Sequence, residues 1–126
     1  MKNAVLILVV EDEKLVRELL QTELDDSGYK VVEAESGEEA VSWLDKHKKA
    51  RGVVTDVRLG GKRGLTGWDV ARHAREINPN IAVVYMSGDS GADWTAQGVP
   101  KSVMIAKPFA MSQVSTALAS LLNEAG

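Results

Sequence analysis

Cysteine is absent from the 126 residues, and histidine occurs only at His47 and His73. The first absence excludes a disulfide framework, thiolate-ligated zinc and a thiol nucleophile; the second leaves too few imidazoles for a histidine-rich metal centre. Positive charge is not in excess, since fifteen Lys and Arg stand against eighteen Asp and Glu for a net charge of −3. A mildly acidic chain cannot neutralise a run of phosphates, so direct nucleic-acid binding is not expected. Long apolar runs are also missing. A membrane span needs about 20 such residues, whereas the first run here, Ala4 to Val10, ends in Glu11-Asp12-Glu13. An acidic stop of this kind is unlike the small-residue cleavage site of an export signal. A cytoplasmic protein without membrane insertion is the expectation.

What is present suffices for one domain with its own core: 44% hydrophobic residues in 126 positions. Short apolar runs alternate with stretches of helical period. Strands are read at Ala4–Val10, Tyr29–Ala34, Gly52–Thr55, Ile81–Met86 and Val103–Ala106. Between them, Leu15, Val16, Leu19, Leu20 and Leu24 recur at helical spacing. Ser36-Gly37-Glu38-Glu39 has the form of a capping box ahead of Ala40, Trp43 and Leu44. Val70, Ala71, Ala74 and Ile77 mark a third helix, closed by Asn78-Pro79, Ser90–Gln97 a short fourth, and Val114, Leu118 and Leu121 a fifth. Buried strands alternating with helices predict a parallel sheet covered on both faces, an α/β doubly wound fold. Five strands with right-handed crossovers favour the order 2-1-3-4-5, with the ligand crevice at the carboxyl ends of the first and third strands.

That rule selects residues. Glu11, Asp12 and Glu13 follow the first strand and Asp56 follows the third. Adjacent strands lie about 4.8 Å apart, so Glu11, Asp12 and Asp56 can converge. Carboxylates packed so closely repel unless a cation intervenes, and an oxygen-only set suits Mg²⁺. Glu13 is read as a helix-capping acid instead. Ser87 follows the fourth strand and Lys107-Pro108 the fifth, the lysine being a natural counter-ion for the acids.

The set Glu11-Asp12, Asp56, Ser87 and Lys107-Pro108 resembles the receiver domain of two-component response regulators, the CheY-like fold, and the resemblance runs from Leu6 to the last helix. It implies a phosphoryl switch in a single receiver domain over 1–126. Asp56 would accept a phosphoryl group from a sensor histidine kinase or histidine phosphotransfer protein. Glu11, Asp12, Asp56 and the backbone carbonyl of Arg58 would hold Mg²⁺. Lys107 and Ser87 would bind the phosphoryl oxygens. The resemblance further implies a Lys107-Pro108 bond that is often cis, and a signalling face built from the fourth helix, fifth strand and fifth helix. That face would address a downstream protein target or, after phosphorylation, a second copy of the chain. Catalysis would extend only to the domain's own phosphorylation and dephosphorylation. With nothing after Gly126 to serve as a DNA-binding output domain, output is expected through protein contact or onward transfer.

The chain departs from the family pattern in three places. Met104 stands where an aromatic switch residue is usual. The Gly60–Gly67 loop is longer by about three residues, an insertion that loops tolerate at small entropic cost, with Lys62 and Arg63 as candidate contacts to a donor or partner. The first acid is Glu11, whose reach exceeds that of aspartate. Other readings are weaker. A P-loop fails because Arg63 stands where Ser or Thr is needed. A flavodoxin-like cofactor binder is the less favoured alternative, because Glu11-Asp12-Glu13 would repel a phosphate. A haloacid-dehalogenase-type phosphatase would want an acid at Arg58. A degenerate receiver acting only as a binding module is opposed by the complete acid set. His47 and His73 read as solvated, Trp43 and Trp68 as packing residues, and Trp94 as a candidate exposed contact on the fourth helix.

Overall fold

A computed structural model describes residues 4–60, 64–89 and 91–125. Lys62, Arg63 and Ser90 fall outside the described residues. The elements run β1 (Leu6–Val10), α1 (Lys14–Asp26), β2 (Lys30–Ala34), α2 (Gly37–Lys46), β3 (Gly52–Asp56), α3 (Gly67–Ile77), β4 (Ala82–Ser87), a 3₁₀ turn (Gly91–Asp93), α4 (Trp94–Gln97), β5 (Ser102–Ala106) and α5 (Met111–Ala125). All strand pairs are parallel, in the order β2-β1-β3-β4-β5, as the sequence predicts. No helix among the described residues is long and apolar enough to cross a membrane.

The strands are buried on both faces, so their side chains divide by parity. Leu8, Val10, Val53, Val83 and Tyr85 pack with Ala40, Leu44, Trp68, Val70, Ala71 and Ala74 under α2 and α3. Ile7, Val9, Val54, Val84 and Met86 pack with Leu20, Leu24, Val114 and Leu118 under α1 and α5. Two cores thus clamp one sheet, and the strand ends are held where both cores are complete.

Local chemistry sets the helix starts. Ser36 accepts from the Glu39 N–H at 3.1 Å, while the Glu39 carboxylate accepts from the Glu35 N–H. Thr66 and Asp69 form a full capping box at the start of α3. The helix C-termini of α1 and α3 fall at Ser27 and Asn78, where the Ser-Gly and Asn-Pro signals put them.

Several readings of single residues change. Leu15 and Leu19 lie outside the apolar stripe of α1, 66% and 47% exposed. The helix packs through Leu20 and Leu24, and a helix covering one side of an open sheet buries only part of its circumference. Asp56 is the last residue of β3 rather than the first of the loop, and Ser87 likewise closes β4. The fourth helix is one turn, preceded by the 3₁₀ turn. Trp94 is exposed there, as expected, at 36%, and its indole N–H also donates to the Ser102 hydroxyl at 2.9 Å. His73 is held by Asp45 at 2.7 Å rather than simply solvated, and His47 stacks on Trp43. The Lys107-Pro108 bond is cis.

Tyr85 ties β4 to the chain entering β5. Its ring is fully buried against Trp68, with centroids 4.6 Å apart, and its hydroxyl accepts from the Val99 N–H at 3.1 Å. Tyr85→Phe leaves that buried N–H unpartnered and is expected to cost about 1–3 kcal/mol, read as a lower urea midpoint with an unchanged far-ultraviolet spectrum.

Candidate functional site

The strand order brings the predicted residues together. β1 and β3 are neighbours, with Val10 opposite Thr55, so Glu11 and Asp12 emerge beside Asp56. β3 and β4 pair Asp56 with Met86, which sets Ser87 one residue beyond. The Lys107 N–H donates to the Ser87 carbonyl at 2.8 Å, carrying the β4–β5 pairing past the strand end. Lys107 therefore arrives on the far side of the same cleft.

Glu11, Asp12 and Asp56 each offer a carboxylate oxygen, and these atoms lie within 4.8 Å of one another. Lys107 Nζ is 3.2 Å from Asp56 Oδ2 and 3.8 Å from Glu11 Oε1. Asp12 is exposed, while Asp56 is buried and Glu11 is 1% exposed. Glu11 Oε2 accepts from the Glu13 N–H at 3.0 Å. Glu11 Oε1 is buried and has no hydrogen-bond partner among the described residues. An orphaned carboxylate oxygen aimed at two further carboxylates is a donor set that fits a hard divalent cation.

The charges respond to this crowding. Burial pushes Glu11 up to about 7; the Glu13 N–H opposes the rise and the nearby Asp56 charge adds to it. Burial also raises Asp56 above the ordinary aspartate range, against the pull of Lys107. Partial burial works against the Lys107 charge, but Asp56 and Glu11 outweigh it and hold the ammonium above its usual value. Lys107 is therefore a permanent cation at neutral pH.

Ser87 and Arg58 border the cluster. The Ser87 hydroxyl accepts from the Asp89 N–H at 3.2 Å. The Arg58 guanidinium pairs with Asp89 at 2.9 Å across the mouth of the cleft, with both side chains well exposed. Three further residues, given no role from the sequence, shape the site. Thr55 donates its hydroxyl to the Asp56 carbonyl at 2.9 Å. Gly67 lies so close to that carbonyl that a Cβ there would overlap the Asp56 backbone. Arg17 is buried, with its guanidinium on the Glu11 carbonyl. Only Arg17 left a legible trace, a charged residue in the buried stripe it shares with Leu20 and Leu24.

Comparison with known proteins follows this geometry. The family model for the response regulator receiver domain matches residues 7–119. A crystal structure of a response regulator receiver protein from Sinorhizobium medicae WSM419 is 40% identical, with a TM-score of 0.93 over 98% of both chains. The response regulator MprA of Mycobacterium sp. (strain KMS) is 29% identical over 93% of this chain, which spans 50% of that regulator's length. The sensor kinase CckA of Brucella abortus (strain 2308) is 32% identical over 94% of this chain, which spans 12% of that kinase.

The raised Glu11 carboxyl has a consequence for stability. The unfolded group titrates near 4.5 and the folded one near 7. Between those values the folded protein retains a proton that the unfolded chain has released. Glu11 therefore weakens the metal-free fold as pH rises through this window, and the loss is complete above it. Glu11→Gln removes the effect. In chelator-containing buffer it is expected to stabilise the protein by about 1–3 kcal/mol at about pH 8 and hardly at all at about pH 4, measured by urea unfolding.

Proposed function

This chain belongs to the response regulator receiver domain family, and from that premise we propose that it forms a single phosphoacceptor domain of a two-component phosphorelay, with Asp56 as the acceptor. The carrying observation is the convergence of Glu11, Asp12 and Asp56 within 4.8 Å, with Lys107 Nζ 3.2 Å from Asp56. Glu11, Asp12, Asp56 and the Arg58 backbone carbonyl would hold Mg²⁺. When bound, the ion supplies positive charge that lets a phosphoryl group approach an acidic site.

The chain's own residues do the rest. The Asp56 carboxylate attacks phosphorus of a phosphohistidine; the P–O bond forms as the P–N bond breaks, and the imidazole leaves with a proton from solvent. Asp56 reacts as the anion, which Lys107 favours against the burial that opposes it. Lys107 then meets the oxygens of the new acyl phosphate, and the Ser87 hydroxyl donates to one of them. Catalysis of this type is mainly positioning and charge stabilisation. The added charge of about −1.5 to −2 draws on Ser87 and Lys107, which end β4 and enter the loop after β5. The face of α4, β5 and α5 registers the change and addresses a downstream protein. Tyr85, adjacent to Met104 in the β4–β5 register, fills the interior beside it in place of a mobile aromatic.

The donor is a protein carrying phosphohistidine, a sensor kinase or a phosphotransfer protein. Leu15 and Leu19, one turn apart on α1 next to the acids, offer it an apolar contact. Replacing both with Ser is expected to leave labelling by acetyl phosphate unchanged and to slow transfer from the protein donor by at least about tenfold.

Intact mass after incubation with acetyl phosphate tests the acceptor itself. One phosphoryl group should be gained with Mg²⁺, none with chelator, and none in Asp56→Asn. Labelling that survives in Asp56→Asn places the acceptor elsewhere. An unlabelled wild-type chain leaves a receiver that accepts only from its protein donor or a binding module, and incubation with a phosphohistidine protein separates the two.

A further inference from the structure

Arg17 is an arginine where the helix pattern calls for an apolar side chain. It shares a face with Leu20 and Leu24, both fully buried, and is itself only 8% exposed. Its guanidinium serves three partners. One amino group donates to the Glu11 carbonyl at 2.9 Å. Nε lies 3.7 Å from a Glu33 carboxylate oxygen, and the other amino group lies 3.6 Å from Glu35. One planar fork thus joins the end of β1 to the end of β2 and the loop that follows it, a geometry a single ammonium cannot reproduce.

The peptide it grips is the one from which the cluster grows. The Glu11 N–H is fixed by the Ala34 carbonyl at 3.1 Å, and the Glu11 carbonyl by Arg17. The carbonyl belongs to the peptide that links Glu11 to Asp12, so its plane sets the direction in which Asp12 leaves the strand. The Glu11 side chain is tied separately, to the Glu13 N–H. Glu33 and Glu35 hold the guanidinium in place and balance its charge, so it fixes the acids without adding an unopposed cation beside them. Mg²⁺ demands near-ideal octahedral geometry, and ligands displaced by a fraction of an ångström bind it less well.

We infer that Arg17 is a positioning residue of the cation site, setting Mg²⁺ affinity by clamping the Glu11–Asp12 peptide against β2. The inference rests on the reading of Glu11, Asp12 and Asp56 as Mg²⁺ ligands.

The test is a MgCl₂ titration followed by amide chemical shifts of residues 12, 56 and 57, at a temperature where every variant is folded. Arg17→Gln is expected to weaken Mg²⁺ binding at least tenfold. Arg17→Lys, which keeps the charge but not the fork, should weaken it at least threefold and remains informative if Arg17→Gln does not fold. Arg75→Gln is the comparison for a merely structural arginine. Arg75 donates to the carbonyls of Ile81, Pro100 and Lys101, where the chain enters β4 and β5, and its loss should lower the melting temperature without moving Mg²⁺ affinity. A folded Arg17→Gln or Arg17→Lys that binds Mg²⁺ as the wild type does overturns the inference. So does an Arg75→Gln that weakens Mg²⁺ binding as much as Arg17→Gln, since affinity would then follow stability alone. A wild-type chain whose shifts do not respond to Mg²⁺ overturns instead the ligand reading beneath it.

Discussion

Like charges do not gather by themselves. Glu11, Asp12 and Asp56 lie within 4.8 Å of one another, two of them largely out of water, and mutual repulsion opposes every such arrangement. The sheet imposes it. β1 and β3 are neighbours in a parallel order, and both cores hold the strands in a register that cannot slip without turning their side chains to the wrong face. Lys107, entering from the far side of β4, offsets part of the repulsion, while burial raises the Glu11 and Asp56 carboxyls and the neighbouring acids add to the rise. The hydrophobic packing beneath the site holds these charges together.

The same packing links the site to the rest of the molecule. Ser87 and Tyr85 lie two residues apart on one face of β4, so the hydroxyl at the strand end and the ring in the core belong to one element. The ring's hydroxyl holds Val99, and the Ser102 hydroxyl donates to the Val99 carbonyl while accepting from the Trp94 indole. These hydrogen bonds connect the middle of β4 to the start of α4 through packed groups. On the proposed reading, a phosphoryl group at Asp56 would be felt along these bonds where α4 meets β5.

Much of this was legible beforehand. Apolar runs of strand length and helical periods gave the βα alternation and, with it, the strand order. The switch-point rule then selected Glu11, Asp12 and Asp56 without reference to any relative. Less was legible where several faces of a helix were apolar. Leu15 and Leu19 satisfy the same periodicity as Leu20 and Leu24, and periodicity cannot say which strip meets the sheet. Arg17 was overlooked because a charged residue on a helix is ordinarily solvated, and His73 because its partner Asp45 lies on a different helix. The Gly67 constraint is invisible in sequence, since it comes from the backbone of Asp56 passing under the start of α3.

The sequence by itself determined the kinds of element, their order and the residue types at the strand ends, because these follow from local periodicity and from chain topology. Only the tertiary structure decided how close those residues come, which buried oxygen is left without a hydrogen bond, and which side chains are held in place by others. Such facts depend on contacts between residues far apart in the chain. Lys107 meets Asp56 across fifty-one positions, and no local pattern encodes the 3.2 Å between them.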